Sequence, residues 1–137
     1  MDRVFLDANV LFSVSYRGKS GMLWLWGRKN IRLLTSDYVM EEARRNVVAA
    51  DQRERLARLM EAVEIVATPR LSPAKGGSAG VRLPEKDQPI LAAAIAAEAT
   101  HLLTGDKKHF GNYFGQRLGG VLIQTPAQYR LSRSRSR

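Results

Sequence analysis

The chain has 137 residues, with 22 Lys and Arg against 13 Asp and Glu (net +9), 45% hydrophobic residues and no cysteine. That length suits one domain able to bury most of its apolar surface without staples, and the lack of cysteine excludes disulfides, thiolate metal sites and thiol nucleophiles. The apolar run in the opening MDRVFLDANVLF is too short and too interrupted for a secretory leader, and nothing later approaches the ~18 apolar residues of a membrane span; the cytoplasm is expected, with no membrane partner.

Val4-Phe5-Leu6 reads as a short strand reaching Asp7, and the Val10–Trp26 region behind it has helical apolar spacing. Trp24 and Trp26 fall in this apolar setting, where core packing outweighs base stacking as an explanation. Ile31–Thr35 is a second strand, between the turn-like Gly27-Arg28-Lys29-Asn30 and the helix-capping Thr35-Ser36-Asp37. A helix is predicted over Asp37–Ala50, another over Gln52–Ala62, and a third strand over Val63–Ala67. Residues 69–84, PRLSPAKGGSAGVRLP, read as a long functional loop that shares target specificity with the tail. Asp87–Ala99 is an Ala-rich helix with Ile90, Leu91, Ala94 and Ile95 on its buried stripe; Thr100–Thr104 and Val121–Gln124 are strands, and Pro126–Leu131 is a short final helix. Strands alternating with helices predict an α/β, three-layer fold: a central parallel sheet flanked by helices. The domain is drawn at residues 1–129, with 130–137 an irregular basic tail.

Charge is uneven along the chain. After Asp106 come seven cations and no acid, four of them in the tail RLSRSRSR; residues 1–129 hold 18 cations against 13 acids, net +5. A basic body with an Arg/Ser tail suits a polyanion, most simply RNA or DNA, although a solvated tail explains the composition equally well.

Four acids share a local context: Asp7 follows the first strand, Glu42 lies in the helix after the second, Asp87 opens the Ala-rich helix and Asp106 follows the strand fed by that helix. In an open parallel sheet the carboxyl ends of the strands share one edge, where ligands bind. Helix geometry separates Glu42 from Glu41. Stepping about 100° per residue from Val39, Glu42 falls near −60°, bordering the apolar stripe, and Glu41 falls near 200°, where Arg45 can pair with it in solvent. Clustered carboxylates repel, so such a site needs a compensating cation, and Mg²⁺ or Mn²⁺ takes oxygen ligands without Cys or His. A hard divalent ion there can supply a nucleophile from water and offset charge at phosphorus, with basic surface holding the strand to be cut. Taken singly, each acid has a plainer role: Asp7 and Asp87 as helix caps, Asp106 as a turn residue, Glu42 as a peripheral carboxylate. Their joint placement at one edge is what favours chemistry.

At these residues the sequence resembles the PIN-domain family, metal-dependent ribonucleases that include VapC-type toxins of toxin–antitoxin pairs. The resemblance runs from Val4 to about Tyr129. Val4-Phe5-Leu6-Asp7-Ala8-Asn9 matches a first motif, and Thr35-Ser36-Asp37-Tyr38-Val39-Met40-Glu41-Glu42 a second whose acid falls on Glu42. Asp87-Gln88-Pro89-Ile90-Leu91 matches a third, and Leu103-Thr104-Gly105-Asp106 a fourth; these two, in order and joined by one helix and one strand, are the most specific signal. The resemblance implies a PIN fold, Mg²⁺ or Mn²⁺ bound by Asp7, Glu42, Asp87 and Asp106, and hydrolysis of RNA phosphodiester bonds. It also implies a cognate antitoxin and a second copy of the chain as partners. Asn9, Ser36 and Thr104 would orient the carboxylates or water, and Lys107, Lys108 and His109 would meet phosphate, with His109 otherwise a structural donor at a turn. Many relatives carry a further acid where this chain has Lys107, Lys108 and His109, so one metal or two stays open.

Other readings are weaker. A haloacid-dehalogenase-like phosphatase usually has an Asp two residues after its nucleophile, where this chain has Asn9. Gly18-Lys19-Ser20 resembles the end of a P-loop, but the required earlier glycine is Ser13. A non-catalytic PIN-like module binding RNA or protein would gain nothing from unpaired carboxylates beside a phosphate backbone.

Overall fold

The computed structural model describes residues 1–16, 21–70 and 82–135. Its centre is β1 (Asp2–Leu6), in which Val4, Phe5 and Leu6 are all fully buried. Successive strand residues point to opposite faces, so burial of all three means that both faces of the sheet are covered. This is why the strand reads as an unbroken apolar run rather than an alternation. β2 (Ile31–Ser36), β3 (Val63–Val66), β4 (His101–Leu103), β5 (Arg117–Leu118) and β6 (Val121–Gln124) complete a six-stranded sheet in the order β3-β2-β1-β4-β6-β5. All pairings are parallel except β5 with β6. The expected α/β architecture is thus present, with one antiparallel edge strand whose two residues, Arg117–Leu118, are too few to show a period.

The chain moves outward from β1 through β2 to β3, then returns to place β4 on the other side of β1. The strand order therefore reverses between β1 and β4, and the crevice beyond their carboxyl ends is where such sheets bind ligands.

Helices α1 (Ala8–Ser15), α2 (Asp37–Asn46), α3 (Ala50–Met60), α4 (Gln88–Ala96), α5 (Lys107–Phe110) and α6 (Pro126–Arg135) flank the sheet. α1 packs on α2 and α3, and α4 packs on β2 and β4. Several boundaries depart from the sequence reading, each for a local reason. The helical pattern expected across Val10–Trp26 breaks at Tyr16, whose extended backbone ends α1, and among the described residues of that span it resumes as a 3-10 turn at Leu23–Leu25. The helix expected to reach Ala50 stops at Asn46, because Val47 turns to an extended conformation that buries its side chain completely. Asp87 ends a 3-10 turn, Glu85–Asp87, before α4 begins, and α4 closes at Ala96 with Glu98 in the left-handed region at φ 56°. Ile95, expected on the buried stripe, is partly buried, while Ala93 is fully so.

The last helix is longer than expected. α6 continues through residues read as irregular tail to Arg135, anchored by Tyr129, 1% exposed, whose hydroxyl donates to Asp2 Oδ2 at 2.6 Å, and by Arg133, paired with the same oxygen at 2.9 Å. Most of the predicted 69–84 loop lies outside the described residues, as does Gly18-Lys19-Ser20. No helix among the described residues is long and apolar enough to cross a membrane.

Candidate active site

β1 and β4 deliver their last residues side by side, and a polar network joins the two ends. The Asp7 amide donates to Leu103 O at 3.1 Å, extending the ladder one step past β1. Thr104, wholly buried, donates its hydroxyl to Asp7 Oδ2 at 2.7 Å and accepts from the Asp106 amide at 3.1 Å and from Asn9 Nδ2 at 3.2 Å. Asn9 also donates to Asp7 Oδ2 at 3.2 Å, and its Oδ1 accepts from the Gly105 amide at 2.8 Å. Asn9 and Thr104 thus both donate to the same Asp7 carboxylate oxygen. Ser36 does something else: its Oγ accepts from Val39 N at 3.2 Å and caps α2, so it acts on Glu42 only through the helix that carries it.

Asp7, Glu42, Asp87 and Asp106 line one cleft of about 340 Å³, together with Asn9, Phe12, Asn46, Lys86 and Ile90. Glu41 is exposed and lies outside it, the separation that helical spacing indicates. A larger groove of about 490 Å³ between α2, α3 and β3 has a mostly apolar lining that includes Arg44 and Arg53 but no acid; the four carboxylates line the smaller cleft.

Two of the acids double as caps. Asp7 accepts from the Ala8 amide at 2.7 Å and Asp106 from the His109 amide at 3.1 Å. Asp87 does not cap α4; its carboxylate instead meets His109, whose Nδ1 lies 2.8 Å from Asp87 Oδ2 and 2.9 Å from Asp106 Oδ2. The imidazole was expected to face phosphate or to serve a turn, but α5, a helix absent from the sequence reading, swings it between two carboxylates. Oxygen and nitrogen atoms of Asp87, Asp106 and His109 lie within 4.8 Å of one another. Despite the short distances, the Asp87 oxygen and the His109 nitrogen are both buried without an aligned hydrogen bond. Lys107 and Lys108 are exposed at the start of α5 and do not line the cleft.

The electrostatics are those of an under-compensated cluster. Burial, with added repulsion from Glu42 and Asp87, pushes the Asp7 carboxyl up to about 6 despite the stabilising bonds from Thr104 and Ala8. Burial also raises Asp87; His109 and Lys86 oppose the rise, and the charge of Asp106 adds to it. Buried carboxylate oxygens with raised proton affinity and one unaligned imidazole nitrogen suit a hard divalent cation.

Lys86, which lines the cleft, and Tyr38, which bonds to it, are not singled out by the sequence. Lys86 lines the pocket beside Asp87, and Tyr38 donates its hydroxyl to Lys86 O at 2.5 Å, tying the start of the α4 segment to α2. Tyr38 is four residues before Glu42 on the same helix face, a spacing that could have pointed to it.

The PIN domain family matches residues 3–108. No curated protein matches the chain. Among solved structures, the chain is similar to VapBC2 from Rickettsia felis bound to a DNA fragment from their promoter, at 18% identity and TM-score 0.64, covering 90% of this chain and 98% of that one. It is also similar to FitAcB from Neisseria gonorrhoeae, at 19% identity and TM-score 0.61, with the same coverage. At such identity these two likenesses bear on the fold alone.

Proposed function

The chain belongs to the PIN-domain family, and from that premise we propose that it is a metal-dependent endoribonuclease, the toxin of a toxin–antitoxin pair. Family membership supports a nuclease, and so a hydrolase, at the coarse level. The observation that carries the finer reading is the convergence of four acids on one cleft at the reversal of strand order, with a buried Asp87 oxygen and a His109 nitrogen that lack aligned partners. Asp7, Asp87 and Asp106 would hold Mg²⁺ or Mn²⁺, with Glu42 direct or through water and His109 beside them. A cation so held supplies a nucleophile from water at neutral pH and offsets charge developing on phosphorus.

The protein's own part is orientation. Thr104 and Asn9 hold both Asp7 and the Gly105–Asp106 turn, so a shift of either strand end would misalign two acids at once. Lys86 is the cation in the cleft and would meet a phosphate oxygen; Lys107 and Lys108 lie at the approach. Buried carboxylates without a cation would repel RNA, which disfavours a pure binding role. A cognate antitoxin and a second copy of the chain are the partners that go with this reading.

The test is incubation with single-stranded and structured RNA in Mg²⁺, Mn²⁺ or EDTA, beside an Asp87→Asn variant purified identically. Cleavage is expected only with metal, and Asp87→Asn is expected to lose at least about 100-fold in rate, the scale of several kcal/mol of charge stabilisation. Cutting that persists in EDTA, or in the variant, would overturn the metal site; RNA binding by both proteins with no cutting would move the assignment to a binding module.

A further inference from the structure

The edge of the sheet opposite the carboxylates carries a second cluster of a different kind. Trp24 stacks on Tyr129 with ring centres 6.0 Å apart and planes 19° from parallel. The guanidinium carbons of Arg28 and Arg130 lie 5.2 and 5.4 Å from the indole centre, and that of Arg133 lies 5.8 Å from the Tyr129 ring. Trp24, Arg28, Arg130, Arg133 and Ser134 surround a shallow pocket of about 230 Å³.

These cations are ordered but only partly used. Arg28 spends Nε on Trp24 O at 2.8 Å, leaving its terminal nitrogens, and Arg133 is paired with Asp2. Arg130 is exposed, and its side chain lies over the indole with no hydrogen bond or ion pair among the described residues. An aromatic face fixes a guanidinium while leaving its N–H edge outward, so the ordering entropy is met before any ligand arrives. Three arginines around one pocket repel each other, and a bound anion relieves that repulsion.

Shape narrows the anion. The pocket is below the usual size of a small-molecule site, and the cations around it come from two segments, Arg28 with the exposed Lys29 after it and Arg130 with Arg133. A row of cations fits a linear polyanion better than a discrete acid. β1 connects the two edges, with Asp2 touching this cluster and Asp7 in the cleft; five strand steps put them roughly 16 Å apart.

We propose that Arg28, Arg130 and Arg133, set by Trp24 and Tyr129, form a second, non-catalytic site that grips the phosphodiester backbone of the RNA strand away from the acidic cleft. Only the identity of the strand as RNA rests on the ribonuclease reading.

The experiment is equilibrium binding of the full chain in EDTA to a labelled single-stranded RNA of about 20 nucleotides and to duplex DNA of the same sequence, across a salt series. In Arg28→Ala/Arg130→Ala, RNA affinity should fall about tenfold and the salt slope should become shallower by about 1.4, two phosphates at ~0.7 each. Arg28→Lys/Arg130→Lys should keep the slope and lose only part of the affinity, because charge remains without the planar stack; it also serves if the alanine pair fails to fold by circular dichroism. Absence of RNA binding by the parent chain, an unchanged slope in the alanine pair, or a loss confined to duplex DNA would each overturn the proposal. Because nothing is cut in this assay, a chain that binds through these arginines but never cleaves RNA refutes the ribonuclease reading alone, and one that cleaves RNA with binding indifferent to them refutes this site alone.

Discussion

The two edges of one sheet handle charge in opposite ways. At the carboxyl edge, Asp7 and Asp87 are 4% and 6% exposed, and their repulsion is left standing. At the amino edge, Arg28 and Arg130 are exposed and steadied by an indole, while the acid Asp2 is matched by Tyr129 and Arg133. Burial makes a charge expensive and therefore specific in what it accepts; exposure on an aromatic face makes it cheap and tolerant. The first arrangement suits a small hard cation and the second a polymer.

The largest consequence falls on Asp7. Its folded pKa of about 6 lies above the unfolded value of 3.8, so the folded state holds the extra proton between them. The Asp7 contribution to metal-free stability should therefore be full below about pH 4 and be lost as pH rises through about 6, by on the order of 3 kcal/mol. Chemical denaturation in EDTA across this range measures it. Asp7→Asn should flatten the fall and added Mg²⁺ or Mn²⁺ should reverse it near neutral pH; a parent protein equally stable across the window would show that the acid edge is not under-compensated.

A smaller effect is expected one bond further out. Thr104→Val keeps the side-chain shape but removes the hydroxyl shared by Asp7, Asn9 and the Asp106 amide, and should cost about 10–100-fold in metal affinity or rate. Titration calorimetry with Mn²⁺ and cleavage kinetics read the two separately. Unchanged values for both would mean that the acids hold their positions without that hub.

The amino edge should respond least. Tyr129→Phe removes a hydrogen bond to a carboxylate and should destabilise by about 1–2 kcal/mol in denaturant titration while leaving metal affinity unchanged. Burial tends to raise the Asp2 carboxyl, but the Tyr129 bond and the nearby charges of His101 and Arg133 leave it below its usual 3.8. Its contribution is thus present above that value and lost as pH falls below it, and the variant should lose part of this acid-side decline. A change in metal affinity would break the separation between the edges.

Much of the fold is legible in the sequence, because its signals are local. β1, β2 and β4 are buried on both faces, which requires continuous apolar runs such as Val4-Phe5-Leu6, and Glu42 could be told from Glu41 by helical period alone. The four acids that line the cleft follow from the same logic: each stands just past a strand or at a helix bordering the carboxyl edge of a parallel sheet. Short or irregular elements carry no period to read, hence the missed α5 and β5 and the misjudged ends of α1, α2 and α6.

What only the tertiary structure decided is which residues from distant segments share a space. Nothing near His109 in the sequence announces that its ring lies between Asp87 and Asp106, and nothing near Trp24 announces Tyr129 or Arg130, because these contacts join segments that meet only when strands pair across the sheet. Sequence spacing determines which face of an element a residue occupies; chain topology determines what that face meets. The acids were readable because one rule, the shared carboxyl edge of parallel strands, converts position along each element into proximity. No comparable rule covers the arginine cluster, whose members come from a 3-10 turn, the loop after it and the far end of the last helix.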